Sequence, residues 1–284
     1  MINTSRKVWE WVTGDIERES YHLIRFTTGL GAALNFGAWA YGSGPGKALG
    51  RSFANTLEMG SPAWHAALYV GFTAAMLMIG GRGGRFAALT VFLCLQACGG
   101  YMTAWEGRAL QLAAGVLVFV GPGKLVSAWP LRILQIQLPI GYFIAVLAKL
   151  LIEEHWRELH AFVHIISNPG DHHVWPQIPL WAAPAFDVAG IAIEIVAGVL
   201  LFVGLMPGKR ALQRAGLIAS MMLHFGIALF IPTGLFLFAV APFWAAASSV
   251  RKVPTWAVRV SWVLSVIVAV LGAIMTENPF VRVS

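Results

Sequence analysis

Lys149 closes an apolar run that begins at Ile140, and no other Lys or Arg lies so far from a loop. A lone ammonium in hydrocarbon costs about 2.5–3.5 kcal/mol on insertion scales. Such a residue needs a partner, a water-filled cavity, or loss of its proton. Once deprotonated, an amine is a competent general base. Tyr142, two turns earlier, shares its helical face and suits the lining of the same cavity. Glu194 is a second charge in an apolar stretch, between Ala192 and Gly198. It suits an ion pair with Lys149 or a proton relay. His224, in a third apolar stretch, has the near-neutral chemistry that proton transfer requires. Each residue also has a plainer reading. Lys149 could reach the headgroups on its own stem. Glu194 could be a protonated carboxyl bonded to a neighbouring helix, and His224 a hydrogen-bonded structural residue.

The segments that carry these residues are long and apolar. The chain has 284 residues, 58% of them hydrophobic and 12% charged, with mean hydropathy +0.71. Soluble domains are about 25% charged, so the sequence predicts a polytopic membrane protein. A spanning helix needs about 20 apolar residues. Nine segments meet that need: 22–42, 62–80, 84–105, 107–127, 129–152, 184–206, 211–231, 233–250 and 255–276. The expectation is an all-α bundle, a single transmembrane domain over 1–284, with nine spans. Met1–Ser20 is polar and mixed in charge, unlike the apolar core of a signal peptide. With the N-terminus in the cytoplasm, Arg6, Lys7, Arg18, Lys209, Arg210 and Arg214 fall inside, with most of the other basic residues. Only Lys47, Arg51, Arg108, Arg157 and Arg282 fall outside. That asymmetry predicts N-in and C-out. It places Lys149 about one turn inside the outer surface, Glu106 in a short outer loop, and Glu194 and His224 near mid-membrane.

Net charge +7 and pI ≈ 9.8 do not point to nucleic acid, because the basic residues are spread over many short loops. The expected surroundings are a lipid bilayer and a periplasmic or membrane protein partner. Cys94 and Cys98, at i and i+4 in one apolar segment, read as buried thiols and not as a zinc or disulfide set. The longest hydrophilic stretch, 153–177, holds five His and three Glu. On one continuous helix Glu153, Arg157, His160 and His164 would share a face. That pattern reads as an interfacial amphipathic helix, and no metal is expected, since an HxxxH spacing alone is weakly specific. His224 has no second deep histidine with which to hold a haem. No phosphate-binding Gly loop, nucleophile elbow or helical HExxH is present.

The run from Leu131 through Gln137, Tyr142 and Phe143 to Lys149 and Leu150, followed by Trp156, resembles the corresponding helix of the vitamin K-dependent γ-glutamyl carboxylase family. Its bacterial relatives are the horizontally transferred transmembrane (HTTM) proteins. The family pattern is roughly QxxxxYFxAGxxKL and then Trp. Glu194 to Phe202 resembles an acidic-residue–xxAGxLLF segment. His224 with Gly234 and Phe236 resembles an F-H segment leading to F-x-x-G-x-F. The likeness covers about 129–245, while the first four segments match only in hydrophobic layout. Val146 stands where the family has Gly, Leu223 where Phe precedes the His, and Glu106 lies closest to an unmatched pocket histidine.

The resemblance implies a specific chemistry. Its lysine, matched by Lys149, deprotonates vitamin K hydroquinone. Oxygen then adds, a strongly basic alkoxide removes a γ-proton from a substrate Glu, and the carbanion takes up carbon dioxide as the quinone becomes an epoxide. The sequence ends after the ninth predicted span, without the luminal domain that engages protein substrates, so carboxylation of a protein is not expected. The expected function is a carboxylase-like enzyme of the bacterial inner membrane acting on a quinol or lipid-like substrate. Lys149 would be base, Glu194 and His224 would tune or relay protons, and Tyr142 and Glu106 would line the quinol site. The competing expectation is a non-catalytic membrane subunit that anchors, assembles or matures a partner.

Overall fold

The structure, a computed structural model, describes residues 9–40, 61–98, 106–167, 179–230, 235–248 and 253–276. It is mostly helical. In chain order the long helices are α1 (His22–Ala40), α2 (Pro62–Ile79), α3 (Gly84–Cys98), α4 (Glu106–Val118) and α5 (Trp129–Leu151). Two short helices follow, α6 (Glu154–Arg157) and α7 (Ala161–Ser167), and then α8 (Ala183–Gly204), α9 (Arg210–Phe230), α10 (Phe236–Ala247) and α11 (Thr255–Thr276). Every apolar segment read from the sequence thus holds a helix. Among the described residues four helical stretches are long and apolar enough to cross a membrane: Pro62–Ile79, Trp129–Leu151, Leu180–Gly204 and Arg210–Phe230. Their outward residues, among them Ile144, Leu147, Val196, Phe202, Met222 and Phe225, are large, apolar and exposed. In water that surface would aggregate, whereas in lipid it faces its proper solvent. The chain is a membrane protein.

Two details differ from the sequence expectation. The fourth segment, read as helix to residue 127, ends at Val118, and Leu125–Ser127 forms strand β2. β2 pairs antiparallel with β1 (Asp15–Glu17), Ile16 opposite Val126. Gly121, Pro122 and Gly123 cause this, because Pro lacks the N–H that a helix needs and Gly weakens one. An all-α reading therefore misses a small sheet. The second correction concerns the outer stretch. Leu159 adopts φ 57°, a left-handed conformation costly for a β-carbon, and breaks the expected single amphipathic helix into α6 and α7. Glu153, Arg157, His160 and His164 do not lie along one helix face. His155 instead stacks on His164, ring centroids 4.7 Å apart. His172 and His173 lie outside the described residues.

The chain divides into two compact units, Met1–Ile133 with Phe238–Ser284, and Leu134–Leu237. In the first, small residues let helices close up. A β-carbon on Gly29 of α1 would lie 2.8–2.9 Å from α2 atoms at Ala75, Met78 and Ile79. Cys94 and Cys98 are buried free thiols. Ser61 caps α2, its hydroxyl accepting from the Trp64 N–H at 3.1 Å, with Pro62 at the position where a missing N–H costs nothing. Tyr21 ties the small sheet to the start of α5. Its hydroxyl donates to the Ser127 carbonyl (2.9 Å) and accepts from the Leu131 N–H (3.1 Å). The second unit contains most of α5, with α6 to α9. There α9 runs close along α8, where a β-carbon on Gly216 would meet Leu201 N at 2.7 Å.

Candidate functional site

The second unit brings four of the five sequence-derived site residues into two clusters. In the first, Lys149 Nζ donates to Glu194 Oε1, joining α5 to α8. The two side chains are 15% and 8% exposed, so the pair is largely shielded. The same ammonium lies over the Trp156 ring, 4.5 Å from its centroid, in the geometry of a cation–π contact. Lys149 therefore turns inward to a partner. Local sequence explains the approach. Gly198, one turn beyond Glu194, has no side chain to hold α5 away. A β-carbon there would lie 3.2 Å from the Phe143 ring and 3.3 Å from Tyr142 Cβ. Glu194 Oε2 is buried with no hydrogen-bond partner. A polar atom in that state is costly, and it marks where a donor or a proton would be welcome.

The second cluster joins α5 to α9. His224 Nδ1 lies 2.8 Å from the Ser220 carbonyl and 3.2 Å from the Tyr142 hydroxyl. A carbonyl can only accept, so Nδ1 carries a proton. The Tyr142 hydroxyl then accepts from Nδ1 and donates to Ser220 Oγ. Phe236 stacks on the imidazole at 5.2 Å between centroids. Tyr142 and Lys149 are seven residues apart, about 10 Å along the helix axis. The clusters are neighbours within electrostatic reach: Glu194 acts on Tyr142, and Lys149 on His224.

Glu106 opens α4 in the other unit, and its side chain lies outside the described residues. Two contributors were not singled out by sequence. Ser220 had a signal, since it sits four residues before His224 on the same face. Trp156 read as part of an aromatic belt and of the family pattern, and nothing in its spacing showed that it covers Lys149. Asp187 is fully buried at the start of α8, and its Oδ1 accepts from the Phe162 N–H of α7 at 3.0 Å. It fixes the outer short helices and stands apart from the chemistry. Among the described residues no three His, Cys, Asp or Glu side chains gather as a metal set.

No protein-family model, no curated protein and no solved structure matches the chain.

Proposed function

We propose that this protein is a multi-pass enzyme of the bacterial inner membrane that takes a proton from the hydroxyl of a quinol or similar lipid-like substrate. It would be of the vitamin K-dependent carboxylase-like or HTTM kind that residues 129–245 resemble. Nine spans, N-terminus in the cytoplasm and C-terminus outside, complete the reading. The observation that carries it is the shielded Lys149–Glu194 contact with its unpartnered Oε2. That oxygen is also what fits a hydroxyl-bearing group to these residues.

A quinol supplies an acidic hydroxyl, and the chain supplies the acceptor. The pair can hold its shared proton on either partner. With that proton on Glu194, Lys149 Nζ has a lone pair and takes the substrate proton, leaving the bonding electrons on oxygen. The new ammonium develops its charge against the Trp156 ring. Glu194 keeps its proton through this step, so the charges created are one ammonium on Lys149 and one oxyanion on the substrate, the latter able to accept a hydrogen bond from the carboxyl. Tyr142, Ser220 and His224 offer a hydrogen-bonded string beside the pair that can carry a proton onward. A second reading draws on the same contact: two charges that satisfy each other are also how a membrane subunit holds its helices together while it anchors a partner.

Lys149→Met separates the two. Membranes containing each form are assayed for quinol consumption and for protein yield and partner assembly. Loss of turnover with intact assembly supports the enzyme. Turnover unchanged by the substitution, or absent from both forms, refutes it, and lost assembly without turnover in either form selects the subunit.

A further inference from the structure

Arg25, in the first turn of α1, is 3% exposed. Its Nε is buried without a hydrogen-bond partner, and no carboxylate among the described residues pairs with its guanidinium. Nearby charge makes matters worse. Arg18 is close enough to act on Arg25 electrostatically, and its own Nε is also buried and unpartnered. Arg18 is held in place by backbone, its Nη1 donating to the Pro122 carbonyl (2.9 Å) and its N–H to the Lys124 carbonyl (2.9 Å). The first turn of α1 contains no acidic residue, and the positive end of the helix dipole lies there too. Arg25, almost wholly buried at a positive helix end with the Arg18 guanidinium within electrostatic reach, calls for an anion from outside the chain.

The level in the membrane identifies the anion. Gly29, one turn after Arg25, packs on Ala75, Met78 and Ile79, the last turn of α2. α2 is one of the helices long enough to cross a membrane, so Arg25 lies at or just past the end of a span. Arg82 and Arg85 follow that same end in sequence. Lipid phosphates occupy this level, and guanidinium pairs bidentately with phosphate oxygens. We propose that Arg25 and Arg18 form a binding site for one phosphate group, supplied by the headgroup of a phospholipid. The site belongs to the first unit and is independent of the proton chemistry at Lys149.

The test uses the full chain, purified in a neutral, phosphate-free detergent. Thermal unfolding is followed after adding phosphatidylglycerol, a galactosyl diacylglycerol that lacks phosphate, or millimolar inorganic phosphate. Wild type, Arg25→Gln and Arg18→Gln are compared. The site predicts that phosphatidylglycerol stabilises wild type and that the phosphate-free lipid does not. Apparent lipid affinity should fall at least tenfold in Arg25→Gln and several-fold in Arg18→Gln. In detergent alone Arg25→Gln should be as stable as wild type or more so, since it removes an unpaired buried charge. That arm distinguishes a ligand site from a structural arginine. Equal stabilisation by inorganic phosphate supports the phosphate site and overturns the headgroup as its source. Equal response of wild type and both variants to phosphatidylglycerol overturns the site. So does a deficit of Arg25→Gln that is the same in detergent and in lipid.

Discussion

Glu194→Gln keeps the shape of the side chain and removes its charge, so it isolates what the carboxylate does for Lys149. The pair is mostly out of solvent, at 15% and 8% exposure. Breaking one partner of a buried pair in soluble proteins costs about 3–5 kcal/mol. In bilayers the reference state also finds partners, and interhelical polar contacts average nearer about 0.6 kcal/mol. The stranded ammonium itself is worth about 2.5–3.5 kcal/mol on insertion scales, and Trp156 offsets part of that through its ring face, by about 0.5–2 kcal/mol. The expected loss in Glu194→Gln is therefore about 2 kcal/mol. Lys149→Met should cost less, about 1 kcal/mol, because a stranded carboxyl can take a proton and become neutral. The double variant has no charge left to strand and should lie close to Lys149→Met alone. That pattern gives a coupling of about 2 kcal/mol. Reversible unfolding of all four forms in mixed micelles measures it. Additive single effects, or a Glu194→Gln loss below about 0.5 kcal/mol, would mean that Lys149 takes its charge to the headgroups, and the acid–base reading would fail with it.

Gly198→Leu should force α5 from α8, because a β-carbon alone already meets Phe143 and Tyr142 at 3.2–3.3 Å; thermal unfolding should show a loss of about 1–3 kcal/mol. Asp187→Ala removes the acceptor for the Phe162 N–H. It should cost about 1 kcal/mol and speed proteolysis between Glu153 and His164, whereas Asp187→Asn should retain most of the cap. Burial pushes the Tyr21 phenol up to about 12 from its ordinary 10.0. A raised folded-state value means that the stabilisation is whole below pH 10 and is lost as pH climbs from 10 to 12. Alkaline unfolding should steepen across that window in wild type, and Tyr21→Phe should flatten it.

Hydrophobic layout gave away the helices because lipid imposes one rule on every segment. A backbone crossing hydrocarbon must satisfy its own hydrogen bonds, so an apolar stretch of sufficient length becomes a helix. The residue types at the site were legible for the same reason: Lys149, Glu194 and His224 are expensive where they stand. Their pairing was not. Glu194 meets Lys149 because Gly198 lets α5 and α8 approach, and His224 meets Tyr142 through Ser220, none of which is encoded in the spacing of charges along one chain. The short elements failed differently. Leu125–Ser127 is a strand only because Asp15–Glu17 lies beside it, and no local pattern announces a partner more than a hundred residues away. Leu159 breaks the outer helix with a left-handed residue that sequence preference would assign to Gly or Asn.

Among the described residues three charged side chains are buried, and each meets the cost of burial in its own way. Glu194 takes a side chain of opposite charge. Asp187 takes a backbone N–H at the start of a helix, where the dipole favours an anion. Arg25 takes nothing from the described chain. The first two solutions are internal and fix one helix against another, so removing either should register as lost stability with or without lipid. The third is incomplete without an outside anion, so its effect on stability should appear only when that anion is supplied. Dependence on added lipid therefore separates a charge that holds the fold from one that holds a ligand. By that criterion Glu194→Gln and Asp187→Ala should lose the same stability in detergent and in phosphatidylglycerol, while Arg25→Gln should fall below wild type in phosphatidylglycerol alone.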